Sequence, residues 1–431
     1  MEWTSLDTWI VFTAALSAMA CALPGNFLLL RRMSMMGDAI SHTVLPGLAT
    51  AFLLTGSRDL LPMFLGAVII GILSAALIEG LSRLGKIDEG SAMGVVFTTM
   101  FALGLLLIAT AAEHVDLDPN CVLYGAIELS PLDTRLFLGW EVPRAALMSG
   151  LVLALSSVIL LAFYKQFKIT SFDPEFATSQ GIRAWFFHYL LMTIIATTCV
   201  AVFESVGSIL VIAMLVVPPA CAHLLSDRLS LMILWSLVIA VASAVLGHVG
   251  AIWIPAQFGF QSTSTAGMMA TASGLLFVLT ALLAPRHGVM VRLIRRTLLS
   301  YQIVRTELLS RLFRAGERQA GLYALTTTEL LRGRDHFAFR FVLTALRLET
   351  KVRPSGGSWE LTGDGLLAAR RHVRRHRQWE AYLAERDGLD PGKVHGVAER
   401  LTHIQRPEIV STLEEKTRGV VQDPHGKEIP P

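Results

Sequence analysis

The stretch GDAISHTVLPGLATAFLLTG, residues 37–56, is apolar enough to lie in lipid, yet it carries Asp38 and His42 four positions apart. Its length matches the ~20 residues that a helix needs to cross a hydrocarbon core. On such a helix Asp38 and His42 share one face, one turn above the other. Charged groups in lipid cost typically ~2.5 to 3.5 kcal/mol on insertion scales and face a bundle interior or a water-filled path. Two on one stripe imply a path. A carboxylate oxygen with a neutral imidazole nitrogen suits divalent first-row metals, and Ser41 is placed to support them by hydrogen bonding. Spacing alone leaves a second reading open, in which Asp38 pairs with His42 or caps the start of the span. Pro46 and Gly47 are expected to interrupt the helix, as happens at membrane depth where a substrate passes.

The rest of the chain agrees with a lipid setting. Of its 431 residues 53% are hydrophobic, more than in an ordinary soluble domain. Stretches of spanning length occur near 8–30, 34–54, 60–82, 92–112, 146–164, 186–204, 206–225, 229–251 and 266–285, which predicts about nine spans. The first follows Glu2 and Asp7 with no Lys or Arg before it, so it reads as a retained span and not as a signal peptide. Basic residues fall in alternate loops (Arg31 and Arg32; Arg83 and Lys86; Lys165, Lys168 and Arg183; Arg228; Arg286 onward). The excess of Lys and Arg marks cytoplasmic loops, so the N-terminus is expected outside and the C-terminal part in the cytoplasm. Arg58, Arg135 and Arg144 run against that pattern.

Charge divides the chain. Only 11 of the 37 Lys and Arg precede residue 286, whereas the 34 acidic residues split evenly about it. Cys21, Cys121, Cys199 and Cys221 form no C-x-x-C pair, which speaks against a disulfide framework or a thiolate zinc site. No H-E-x-x-H and no Walker A sequence occurs, so neither a simple metalloprotease nor a built-in ATPase is indicated. Glu113, His114, Asp116 and Asp118 cluster on the expected outer face, where they either attract cations or are simply solvated. Glu204 and His248 are further candidates for gate residues.

The run from Gly37 resembles the signature of the ABC-transporter permeases that import manganese, zinc or iron. Further blocks follow in order: HVDLDPNCVLYG (114–125), SFDPEFATSQGI (171–182), VGSILVIAMLVVPPACAHLL (206–225) and TAGMMATASGLLFVLTALLAP (265–285). The resemblance covers residues 1–290 and implies that Asp38 and His42 hold the metal in the pathway. It implies also that 171–182 is the short helix that fits a groove of a separate ATP-binding subunit. Local chemistry agrees with such a helix: Ser171 or Asp173 as cap, Pro174 at the first position, Glu175 next and Gly181 as the stop. An extracytoplasmic metal-binding protein and a second permease subunit, identical or different, complete the implied assembly in a bacterial cytoplasmic membrane.

Residues 286–314 read as a basic amphipathic helix against anionic lipid headgroups, within an expected connector at 291–321. Beyond it, HFAFRFVLTALRLETKV (336–352) has helical apolar spacing and RPSGGSWELTGDG (353–365) reads as a Gly-containing hairpin, the pattern of a winged helix. Two more helices are expected at 365–385 and 389–404, the second opened by Asp390 and Pro391. His376 with Glu380, and His395 with Glu399 and His403, stand at four-residue intervals on one helical face each, and two such faces suit a mixed N/O metal site.

Residues 322–431 resemble the iron- and manganese-dependent repressors of the diphtheria-toxin-repressor type, best in RRHRQWEAYL, KVHGVAERLTHI, PEIVSTLEE and DPHGKEIP. The resemblance implies metal ligands at His376, Glu380, His395, Glu399 and His403. Thr402 stands where that family usually has a glutamate. The expected whole is an all-α polytopic membrane protein with a cytoplasmic winged-helix-like plus helical domain. It is read as a non-enzymatic permease for a divalent metal, whose C-terminal module senses cytoplasmic metal. A membrane-tethered, metal-dependent DNA-binding regulator, and a permease for an organic chelate or cobalamin, are the alternatives.

Overall fold

The computed structural model describes residues 3–56, 60–112, 127–137, 139–260, 262–318, 323–331, 336–385, 390–403 and 407–430. They form two compact units, Met1–Val291 and Arg292–Pro431. The first unit begins with helices α1 (Ser5–Leu30), α2 (Ser34–Thr55), α3 (Leu60–Gly85) and α4 (Glu89–Ala112). A 3-10 turn, Ile127–Leu132, leads into a hairpin of β1 (Thr134–Phe137) and β2 (Trp140–Pro143), with Phe137 opposite Trp140. There follow α5 (Arg144–Ala162), α6 (Tyr164–Phe172), α7 (Pro174–Ser179), α8 (Ala184–Val206), α9 (Ser208–Leu225), α10 (Leu229–Gln257) and α11 (Thr265–Leu283). Among the described residues eight helices are long and apolar enough to cross a membrane, and α2 occupies the remaining expected stretch.

Two groups of helices build the unit. α3 and α4 pack on α2, with α8 against α3, while α9, α10 and α5 surround α1 and α11 closes on α9 and α10. Outward stripes such as Ile69, Leu73 and Leu77 of α3 are exposed, as expected for faces that meet lipid and not water. Lipid gives apolar side chains no reason to leave it, so helix pairing depends on close approach and polar links. Asn26 of α1 supplies one link, donating to the carbonyl of Ala22 at 2.7 Å and to the hydroxyl of Ser236 in α10 at 2.7 Å. Ser17 and Ser149 join α1 to α5 at 2.9 Å.

The expected break at Pro46 and Gly47 does not occur: α2 runs through both. The reason is packing. A Cβ on Gly47 would stand 2.5 Å from the carbonyl oxygen of Gly66, and one on Gly66 would stand 2.7 Å from that of Gly47. The glycine therefore lets α2 and α3 touch backbone to backbone. The missing hydrogen bond of a proline is tolerated where neighbouring helices hold the chain.

In the second unit the long helix α12 (Val289–Arg318) sends Leu308, Leu309, Leu312 and Phe313 into a core shared with Phe339, Val342, Leu343, Leu346 and Val373. Its last turns are thus structural helix, beyond the connector expected there. Then come β3 (Ala324–Thr326), α13 (Thr327–Leu331), α14 (His336–Leu348), β4 (Val352–Ser355), β5 (Ser358–Leu361), α15 (Gly363–Glu385), α16 (Pro391–Thr402) and α17 (Pro407–Lys416). The expected hairpin forms with Gly356 and Gly357 both at positive φ, the turn geometry that favours glycine. β3 adds a third strand, in the order β3-β5-β4.

Candidate metal centres and the coupling segment

Asp38 and His42 lie on the unbroken helix α2, one turn apart; their side chains are outside the described residues. The start of that helix is tightly set, because a Cβ on Gly37 would collide with the Leu215 side chain of α9. Glu113, His114, Asp116, Asp118 and the side chain of Glu204 also lie outside the described residues. His248 of α10 is buried. Its Nε2 stands 3.3 Å from Asp7 of α1 and its Nδ1 3.2 Å from the Thr265 hydroxyl of α11, so it links α10 to the starts of α1 and α11. Trp3 packs edge-on against the same ring.

The segment 171–182 folds as its residues predict. Asp173 is the cap and accepts from the Phe176 amide at 2.8 Å, Pro174 opens α7, Glu175 sits in the first turn, and Gly181 reverses the chain at φ +80°. Ser171 is not the cap. It accepts instead from Arg31 Nε at 3.2 Å, while Arg31 Nη2 donates to Thr170 at 3.0 Å. Arg31 also reaches Nδ1 of His188 at 3.5 Å. These groups line a cavity of about 870 Å³ with Glu79, Arg83 and His223. Phe172, which also lines it, and Phe176 of α7 remain exposed.

The second unit brings three expected ligands together. His376 and Glu380 come from one face of α15, and His395 comes from α16. His395 Nδ1 stands 2.6 Å and His376 Nε2 3.2 Å from Glu380 Oε1, with 3.2 Å between the two ring nitrogens. One ligand atom from each residue lies within 4.8 Å of the others. Burial works against the charge of Glu380, but the two imidazoles on its oxygen hold the carboxyl down at about 2. A buried, ionised carboxylate flanked by imidazole nitrogens is a donor set that fits a divalent first-row cation. Metal would replace the proton shared among these atoms.

His403 does not join that cluster. Its ring faces His372, at 5.7 Å between centroids, and Glu399 is exposed on α16. His372 escaped the sequence reading, although it extends the His376–Glu380 stripe by one turn. Burial, and then the neighbouring His403 and His376, push His372 down to about 3. Burial also lowers His403, against the pull of Glu399. The Thr402 hydroxyl donates to the Ala398 carbonyl at 2.6 Å and lies 3.4 Å from His376 Nδ1. Next to His376, the buried Arg377 grips Glu317 of α12 through two hydrogen bonds, at 2.8 and 2.7 Å, and the Glu428 carbonyl at 2.6 Å.

Fold and sites together define a polytopic helical membrane protein with an appended module that gathers His376, Glu380 and His395. Residues 6–284 match the ABC 3 transport family, and residues 362–431 match the iron dependent repressor, metal binding and dimerisation domain. The chain belongs to the ABC 3 transport family. It is 42% identical over 292 residues to the manganese transport system membrane protein MntD of Bacillus subtilis, covering 68% of this chain and 96% of that protein. It is 38% identical over 364 residues to the zinc transport system membrane protein TroD of Treponema pallidum, covering 84% of this chain and 97% of that protein. Among solved structures, PsaBC from Streptococcus pneumoniae in complex with Fab is similar with a TM-score of 0.55 and 30% identity, over 66% of this chain and 94% of that one.

Proposed function

We propose that this chain is the membrane-spanning subunit of an ATP-driven importer of divalent metal ions, either manganese, zinc or iron. The observation that carries the reading is its membership of the ABC 3 transport family, with manganese and zinc transport membrane proteins among its relatives. Asp38 and His42 are the ligands of the path through residues 1–290. There a carboxylate offsets the charge of an ion that sheds water, and an imidazole supplies a second donor. Acidic and imidazole groups at His114, Asp116 and Asp118 receive the ion from an extracytoplasmic binding protein.

ATP is hydrolysed on a separate cytoplasmic subunit, which grips Asp173–Gly181. Arg31 ties that segment to the end of α1 through Thr170 and Ser171, and this gives movement of α7 a route into the bundle. A second permease subunit completes the channel. The N-terminus faces outward, and residues 322–431 lie in the cytoplasm as a metal-sensing module that α12 joins to the spans. Metal held by His376, Glu380 and His395 draws α15 and α16 together, and Arg377 passes that change to Glu317 of α12. Uptake of manganese-54 by cells holding the whole transporter, with and without residues 300–431, tests the regulatory part. Uptake that no longer falls as internal metal rises supports it, and unchanged regulation refutes it.

A further inference from the structure

The long helix α12 changes partners along its length. From Tyr301 onward its apolar face packs into the module core, where Leu308, Leu309, Leu312 and Phe313 are buried. Upstream, Met290, Ile294 and Leu298 follow one another at four-residue intervals with Leu293 beside them, so they continue that face. All four are exposed. Of the basic amphipathic stretch expected at 286–314, only 289–300 keeps its apolar face outward. Helical geometry puts Arg295 and Arg296 on the two flanks of this stripe and Arg292 opposite it. No Asp or Glu occurs from 286 to 306. The start of α12 is also held close to the spans. Five residues separate Leu283, the end of α11, from Val289, a reach of about 20 Å if extended, and they form a closed turn. The Gly288 amide donates to the Ala284 carbonyl at 2.9 Å, Arg286 donates to Asp227 at 2.7 Å, and His287 Nε2 stands 2.8 Å from the same carboxylate. Asp227 lies in the turn between α9 and α10, so α12 leaves from a point where three spans end and lipid headgroups begin.

We propose that residues 289–300 lie along the bilayer surface and bind anionic lipid, with Met290, Leu293, Ile294 and Leu298 in the acyl boundary and Arg295 and Arg296 on lipid phosphates. An apolar stripe with arginines on both flanks fits such a surface, because the rings of headgroup phosphate lie where the flanking guanidinium groups reach out from the stripe. A second copy fits it poorly. Pairing along the stripe would bring the flanking arginines of both chains together, with no acidic residue from 286 to 306 to offset them. The helix is then a membrane-bound element in its own right, seated in lipid upstream and packed in protein downstream.

The test uses the full chain in nanodiscs of phosphatidylcholine, with or without phosphatidylglycerol. A fluorophore is placed at Ile294→Cys or at Leu299→Cys, each with Cys121→Ser, the three other cysteines being buried. The two positions are 48% and 51% exposed, so neither variant removes a core contact, but Leu299 points away from the stripe, among the arginines. Spin-labelled lipid is expected to quench most of the emission at Ile294 and little at Leu299, and iodide in the water to do the reverse. Replacing both flanking arginines, Arg295→Gln with Arg296→Gln, is expected to lower the lipid quenching at Ile294 in phosphatidylglycerol discs to the level in phosphatidylcholine alone. Equal lipid quenching at the two positions, or iodide quenching as strong at Ile294 as at Leu299, overturns the proposal. Self-quenching at Ile294 that dilution with unlabelled chain relieves also overturns it, by assigning the stripe to a second copy. Lipid quenching indifferent to phosphatidylglycerol and to the arginines overturns the contact with anionic lipid.

Discussion

The hydroxyl of Thr402 stands 3.4 Å from Nδ1 of His376 while donating its proton to the carbonyl of Ala398 at 2.6 Å. To bind metal through Nε2, His376 must carry its hydrogen on Nδ1, and the Thr402 hydroxyl, its own proton already given to Ala398, is placed to accept that hydrogen. Partners of this kind fix a ligand's tautomer, and their removal typically costs about 10- to 100-fold in metal affinity. Thr402→Val should weaken Zn2+ binding at His376, Glu380 and His395 by that factor, and Thr402→Ser should restore it. Equal affinity in all three chains, measured by competition with a chelating dye, would remove the orienting role.

Glu349 accepts from Lys351 at 2.7 Å, Arg305 at 2.8 Å and Tyr301 at 3.0 Å. The Lys351 ammonium first, with Arg305 and Tyr301 outweighing burial, holds its carboxyl down at about 2. A carboxyl whose folded value lies below its unfolded one stabilises the fold above the unfolded value. That contribution fades as pH falls from about 4.5 toward about 2. Its side chain is 36% exposed, so water limits the gain to about 1 kcal/mol or less. Glu349→Gln should lower the unfolding temperature at neutral pH by a few degrees. The gap from wild type should narrow from about pH 5 to about pH 3, and a gap independent of pH would rule the ion pair out as its source.

Gly47 and Gly94 offer a contrast within the membrane unit. A Cβ on Gly47 meets the Gly66 carbonyl at 2.5 Å, while one on Gly94 meets nothing within 4 Å. Forcing atoms into a packed contact costs about 1–3 kcal/mol. Gly47→Ala should reduce thermal stability of the detergent-purified chain by that order, and Gly94→Ala should not. Equal stability would mean that α2 and α3 separate without penalty.

Phe176 is 52% exposed on α7, whose start is fixed by Asp173 and Pro174. An apolar ring held out on a short capped helix suits a groove on the ATP-binding subunit. Phe176→Asp leaves the cap in place but puts charge into that contact. Co-purification of the ATP-binding subunit should fall about tenfold, the equivalent of ~1.4 kcal/mol. Undiminished capture would place the coupling contact elsewhere.

Much of this was legible in the sequence. Apolar length marked the helices, and the capping chemistry of Asp173, Pro174 and Gly181 marked α7 because those signals are local. Four-residue spacing found His376, Glu380 and His395. What spacing does not carry is partner choice: His403 turns to His372 and not to Glu380, and Ser171 turns to Arg31 instead of capping. Pro46 and Gly47 were misread as a break because their role depends on Gly66 and Gly104, which approach them from α3 and α4. β3 was missed because three residues are too few to alternate visibly. The burial of α12 from Leu308 onward is set by α14 and α15, which the local pattern of basic and apolar residues does not reveal.

The most direct measurement is uptake of manganese-54 and zinc-65 by cells containing the whole transporter, comparing wild type with Asp38→Ala and His42→Ala at matched levels of assembled protein. Both variants should lose at least tenfold of the uptake rate, about 1.4 kcal/mol of ion stabilisation or more, while still binding the ATP-binding subunit. Wild-type uptake in both would contradict a metal path through α2.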